Sequence, residues 1–92
     1  MKEFEKTPNE DLDYGWDATD WLEPGDTIAS VEWVVPQGIT LYAQSHDDTE
    51  CAGWFRSGTL GSSYIVVVRI TTVAGRKPER HFKIRMVPYR SE

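Results

Sequence analysis

The feature that most constrains this chain is the stretch Gly61 to Val87, which reads GSSYIVVVRITTVAGRKPERHFKIRMV. Tyr64, Val66, Val68 and Ile70 fall on one face of an extended segment, and Phe82, Ile84 and Met86 fall on one face of the next. Apolar residues repeating with period two are what a strand half buried against a core requires. Between the two runs, Ala74-Gly75-Arg76-Lys77-Pro78 supplies turn chemistry. The stretch therefore predicts a hairpin, and the remaining segments must supply strands that complete its core.

Upstream, Leu12, Tyr14 and Trp16 alternate and predict a strand, which Asp17-Ala18-Thr19-Asp20 interrupts with side chains suited to bracing a bend. Glu23-Pro24-Gly25-Asp26 predicts a type II turn, because Gly accepts the positive φ at the third position. Strands are predicted over Thr27–Val35, Ile39–Ser45 and Cys51–Ser57. In the first of these Ala29, Val31, Trp33 and Val35 share a face, which makes Trp33 the expected central core residue. Ile39, Leu41 and Ala43 are in phase in the second. Adjacent Trp54 and Phe55 must point to opposite faces of the third. Strands are also predicted over Ser63–Thr72 and Arg80–Val87. The sum is an all-β chain, an immunoglobulin-like antiparallel β-sandwich of about six to seven strands. Residues 10–88 form that domain, 1–9 a flexible N-terminal arm and 89–92 a C-terminal tail.

Composition removes several function classes. With 92 residues there is room for one domain, and its 11 aromatics allow a small core to bury much area. One cysteine excludes an internal disulfide and suits assembly in a reducing compartment. No apolar run approaches the roughly 20 residues of a membrane span, and no signal peptide is legible. A net charge of −5 argues against general nucleic-acid binding. That charge is divided unevenly. Residues 1–46 hold two lysines against ten acids, and residues 47–92 hold eight basic residues against five acids. The asymmetry is met either by pairing within the sandwich or by patches that favour head-to-tail contact between copies.

Catalytic, cofactor and metal residues are not expected. The acids Asp11, Asp13, Asp17 and Asp20 lack calcium-loop spacing. His46, Asp47, Asp48, Glu50 and Cys51 lack paired zinc spacing and read as a surface loop. Cys51 and His81 lie on unrelated elements, so no Cys-His nucleophile pair is expected. The candidates are instead for contact. Ile65 and Val67 put apolar residues on the second face of their strand, where they sit under a loop or the arm, or meet another subunit. Lys83 and Arg85 make the outer face of the last strand basic, and Phe4 is the one aromatic of the arm.

Two resemblances bear on this reading. Gly61-Ser62-Ser63-Tyr64-Ile65-Val66 resembles the tyrosine corner of immunoglobulin-like sandwiches, in which a Tyr hydroxyl bonds to nearby backbone. More of the chain, from about Asp13 to Val87, resembles the fiber–tail adaptor proteins of tailed phages. The residues that carry this are Trp21-Leu22-Glu23-Pro24-Gly25-Asp26-Thr27-Ile28, Val31 to Leu41, Gly61 to Tyr64, Ile70 to Arg76, and Glu79 to Val87. The chain departs from the family pattern at Trp54-Phe55-Arg56-Ser57-Gly58 and at Val68. The resemblance implies a virion structural protein of the tail, assembled in the host cytoplasm. Its implied partners are other virion tail and fiber proteins, in a multi-copy assembly. A homo-oligomeric ring is expected, with no enzymatic activity, no nucleic-acid partner and no membrane partner. The alternative is a generic Ig-like module that binds protein or carbohydrate, for example through exposed Trp54 or Trp16.

Overall fold

A computed structural model describes residues 2–89. Seven strands follow one another: β1 Lys2–Lys6, β2 Leu12–Asp17, β3 Ile28–Val34, β4 Ile39–His46, β5 Glu50–Ser57, β6 Ser63–Thr72 and β7 Glu79–Met86. They form a four-stranded sheet in the order β1-β7-β6-β3, facing a three-stranded sheet in the order β2-β5-β4. This is the expected immunoglobulin-like sandwich. All pairings are antiparallel except β1 with β7, which is parallel.

The hairpin β6–β7 closes the core as its alternation demands. Tyr64, Val66, Val68 and Ile70 are buried, and so are Phe82, Ile84 and Met86. From the other sheet Tyr14, Trp16 and Phe55 pack against them. The centre is Phe55, fully buried, with ring centroids 5.8 Å from Tyr14, 5.9 Å from Trp33 and 6.3 Å from Phe82. The expectation for Trp33 is corrected here. It is only half buried, because β3 is an edge strand of its sheet. Its indole lies over Gly53, where an added Cβ would stand 3.0 Å from Trp33 Cη2.

Two phase changes were not legible in the alternation. β3 shifts register between Ile28 and Ser30, so Ile28 is buried while Ala29 is exposed. β4 shifts between Leu41 and Ala43, so Ala43 no longer follows Ile39 and Leu41. One extra residue in a strand reverses every side chain beyond it.

The local expectations at the turns are met by specific bonds. Gly25 has φ 83° and the Asp26 N–H donates to the Glu23 carbonyl at 2.9 Å, closing the type II turn. Asp17 accepts from the Thr19 N–H at 3.0 Å and the Thr19 hydroxyl at 2.6 Å. Those two bonds, the hydroxyl first, hold the Asp17 carboxyl below its usual pKa. Tyr64 forms the corner: its hydroxyl accepts from the Thr59 N–H at 2.9 Å.

The flexible arm is the main correction. Lys2–Lys6 form strand β1, and Phe4 turns inward, 4.7 Å from Tyr14 and 5.7 Å from Phe82 between ring centroids. Phe4 thus completes the core instead of being presented to a neighbour. Sequence composition understated this segment because its order comes from β7, whose free edge supplies the backbone partners. Lys6 locks its end. The residue is fully buried, and its Nζ donates to the carbonyl of Ser57 at 2.6 Å and of Thr7 at 3.0 Å. Desolvation pulls its pKa down, while Asp11 and Glu10 oppose that. Lys6→Ala removes the donor and leaves the Ser57 carbonyl short of its partner. The expected loss is about 1–3 kcal/mol, read as a lower midpoint in urea. An unchanged midpoint would show that β1 is not held by this clamp. Of the tail, Tyr89 is described and exposed, and residues 90–92 lie outside the described residues.

Candidate interaction surface

Strand β6 is central in its sheet, and its two faces differ sharply. Inward lie Tyr64, Val66, Val68, Ile70 and Thr72; outward lie Ser63, Ile65, Val67, Arg69 and Thr71. On the outer face Ile65 stands opposite Lys83 on β7, and Val67 stands between His81 on β7 and Val34 on β3. Ile65 is 47% exposed and Val34 is 39% exposed, with Val67 half buried between its neighbours. Among the described residues neither loop nor N-terminal strand covers Ile65, because β1 extends the sheet beyond β7 instead of folding over it. The result is a short apolar stripe, Ile65, Val67 and Val34, across the middle of a rigid sheet.

Charge surrounds that stripe, and most of it is internally matched. On one side Glu3 and Glu5 of β1 face Lys83 and Arg85 of β7. Arg85 pairs with Glu5 and, at 3.6 Å, with Glu3, while Lys83 lies 4.0 Å from Glu3. On the other side Arg69 bonds Glu79 at 2.6 Å and approaches Glu32 at 3.5 Å. His81 bonds the second oxygen of Glu79 at 2.8 Å. The bonds from His81 and then Arg69 hold the Glu79 carboxyl below its ordinary value. Acids of the first half, Glu3, Glu5, Asp11, Glu23 and Glu32, pair with basic residues of the second, Lys83, Arg85, Arg56, Arg76 and Arg69, so part of the charge asymmetry is matched within the sandwich. These exposed pairs add little stability, and they leave a nearly neutral border around the apolar stripe.

Of the five residues singled out from sequence, Ile65, Val67, Lys83 and Arg85 share this outer face, and Phe4 does not. Sequence reasoning missed Val34, because the register shift in β3 decides that it lies beside Val67. It also missed Glu3 and Glu5, since the segment that carries them reads as an arm.

The other chemistry-bearing groups point elsewhere. Cys51 is buried opposite His46, and burial pushes its thiol up to about 11, far from a reactive thiolate. Asp47 is occupied in its own turn, accepting from the N–H groups of Thr49 at 2.9 Å and Glu50 at 2.8 Å. Among the described residues no group of three or more His, Cys, Asp or Glu could hold a metal ion. Nor is any helix among them long and apolar enough to cross a membrane. Trp16 is buried and Trp54 half buried, so the expectation of Trp16 as an exposed platform for sugar is corrected.

Fold and sequence each have a counterpart among known proteins. The fold is similar to the solution structure of the PKD domain from KIAA 1837 protein, with a TM-score of 0.51 and 11% identity. That likeness spans 99% of this chain and 85% of the other, and it establishes the class of immunoglobulin-like sandwich. Over residues 6–85 the sequence matches the family described as Podophage GP4 fiber-tail adaptor protein gp77, and the chain belongs to that family. Against curated protein sequences the chain has no significant match.

Proposed function

We propose that this protein is a structural component of a podophage tail that couples tail fibers to the tail, through protein–protein contacts in a multi-copy assembly. The observation that carries the reading is the apolar stripe Ile65-Val67-Val34 on the outer face of a family member's four-stranded sheet. A monomeric sandwich has its outer faces in water, and an open apolar patch on a rigid sheet fits a binding site. The near-neutral border allows close approach without a large desolvation cost from unpaired charge. The partners are tail and fiber proteins of the particle, assembled in the host cytoplasm before release. The role is mechanical and not enzymatic: Cys51 is held as a thiol, and the two histidines lie in different sheets.

The test is a double substitution, Ile65→Asp with Val67→Asp. Both side chains face outward, so the isolated variant should keep a cooperative melt. Two buried carboxylates in the interface should remove the protein from assembled particles, which then lack fibers. Normal fiber content in particles carrying the variant would overturn the proposal.

A further inference from the structure

The sandwich has a second outer face, on the three-stranded sheet, and its chemistry differs from that of the first. Alternation with buried core residues turns Asp13 and Asp17 of β2 outward, and Glu50, Trp54 and Arg56 of β5. Trp54 stands in the middle of this face, between Asp13 on β2 and Ala43 on β4. The next pair along is Ala52 opposite Gly15, both too short to cover an indole. Trp54 is half buried, and no other aromatic ring is stacked on it among the described residues. Part of its indole is therefore open to solvent.

The charge around that indole has one dominant sign. Asp11, Asp13, Asp17 and Glu50 stand against a single base, Arg56. Arg56 is already engaged: its guanidinium lies 3.8 Å from the centre of the exposed Tyr42 ring on β4 and 3.8 Å from the Asp11 carboxylate. Asp13 has no hydrogen bond or ion pair among the described residues. An unpaired carboxylate thus stands directly across from a partly open indole, at the roughly 4.5–5.5 Å between Cβ atoms of a cross-strand pair. That combination selects a planar cation. Trp is the best cation–π partner among side chains, and a guanidinium can stack on a ring while its N–H fork meets a carboxylate. Arg56 on Tyr42 and Asp11 shows the same arrangement within the chain. A neutral sugar would gain from the indole but nothing from the net negative charge. A second copy has few bases to offer, since Arg69, Arg76, Lys83 and Arg85 are paired with acids of their own chain.

We propose that the outer face of β2-β5-β4 docks a basic segment of a partner protein, with an arginine stacked on Trp54 and bonded to Asp13. The two outer faces of the sandwich point in opposite directions, on sheets about 10 Å apart, so both can be occupied at once. The inference deepens the coupling part of the proposed function and rests on it. The stripe on β6 takes one partner by apolar burial, and the acidic face takes the other by charge.

The test uses the full chain and two probes, tails lacking fibers and isolated fibers, with binding measured to each separately. Asp13→Arg reverses charge at an exposed position, and Trp54→Thr removes the indole. Each should weaken binding to one probe by about tenfold or more and spare the other. The spared probe should be the one lost on Ile65→Asp with Val67→Asp. Raising salt from about 0.1 M to about 1 M, which shortens the screening length from about 10 Å to about 3 Å, should weaken only the contact sensitive to Asp13→Arg. If Trp54→Thr lowers the melt, Asp13→Arg alone carries the test. Unchanged binding of Asp13→Arg to both probes overturns the proposal, as does a contact at this face that salt leaves intact. If Ile65→Asp with Val67→Asp still removes a probe in that case, the coupling function stands and only this face is wrong. If neither variant removes a probe, the coupling function fails as well. Self-association lost on Asp13→Arg with both probes kept would assign the face to a second copy instead.

Discussion

Phe55→Ala is expected to leave this domain at the edge of unfolding at room temperature. The ring is fully buried and sits among Tyr14, Trp33 and Phe82, which come from both sheets. Truncating such a residue costs about 3–5 kcal/mol, part from lost burial and part from the cavity left behind. Domains of this size hold only about 5–15 kcal/mol in total. At about 4–8 °C per kcal/mol, the melting temperature should fall by roughly 12 °C or more, measured by circular dichroism. Trp33→Ala should cost less, because that side chain is half buried at a sheet edge and can be partly replaced by water. The reverse order would mean that the core is centred on β3 and not on β5.

The second large effect is expected at a glycine. Gly38 has φ 108°, in the region that side chains avoid, and a Cβ there would stand 2.9 Å from Tyr64 Cε1 and 3.0 Å from its hydroxyl. Gly38→Ala therefore strains the β3–β4 turn by about 1–3 kcal/mol and also pushes Tyr64 off the Thr59 N–H. Tyr64→Phe removes only the hydroxyl and leaves that N–H without its acceptor, a loss of about 1–3 kcal/mol. Denaturation midpoints should rank Gly38→Ala as the more damaging. The double variant should cost less than the sum, since both changes break the same contact. Full additivity would sink the claim that Gly38 acts through Tyr64.

Much of this architecture was legible because it rests on short-range chemistry. The alternation in Ser63–Thr72 gave the strand its bounds and its buried face, and Tyr64 was legible as a corner from its place two residues before Val66. Pro24-Gly25 gave its turn. What stayed hidden depended on partners distant in sequence. Lys2–Lys6 has the composition of a solvated arm, and it becomes a strand because β7 offers an unpaired edge and the core offers Phe4 a gap beside Tyr14 and Phe82. Trp33 has the residue type of a core hub, yet sheet order puts it at an edge and gives the hub to Phe55. The register shifts at Ala29 and Tyr42 have no strong marker in residue type, because a bulge answers to the twist of the sheet as a whole.

The contact surface divides in the same way. Two outward apolar residues on β6, Ile65 and Val67, follow from period-two alternation, since five apolar residues in a row must place some on the second face. Whether that face is covered is a tertiary matter. The structure leaves Ile65 open, sets Val34 beside Val67, and surrounds them with acid–base pairs drawn from β1, β3 and β7. The sequence by itself determined six of the seven strands, the turns and the family, because periodicity, turn stereochemistry and ordered motifs are properties of neighbouring residues. Only the tertiary structure decided which edges are free, which charges are already matched and which apolar face stays open. Those are relations between residues tens of positions apart, and chain folding alone brings them together.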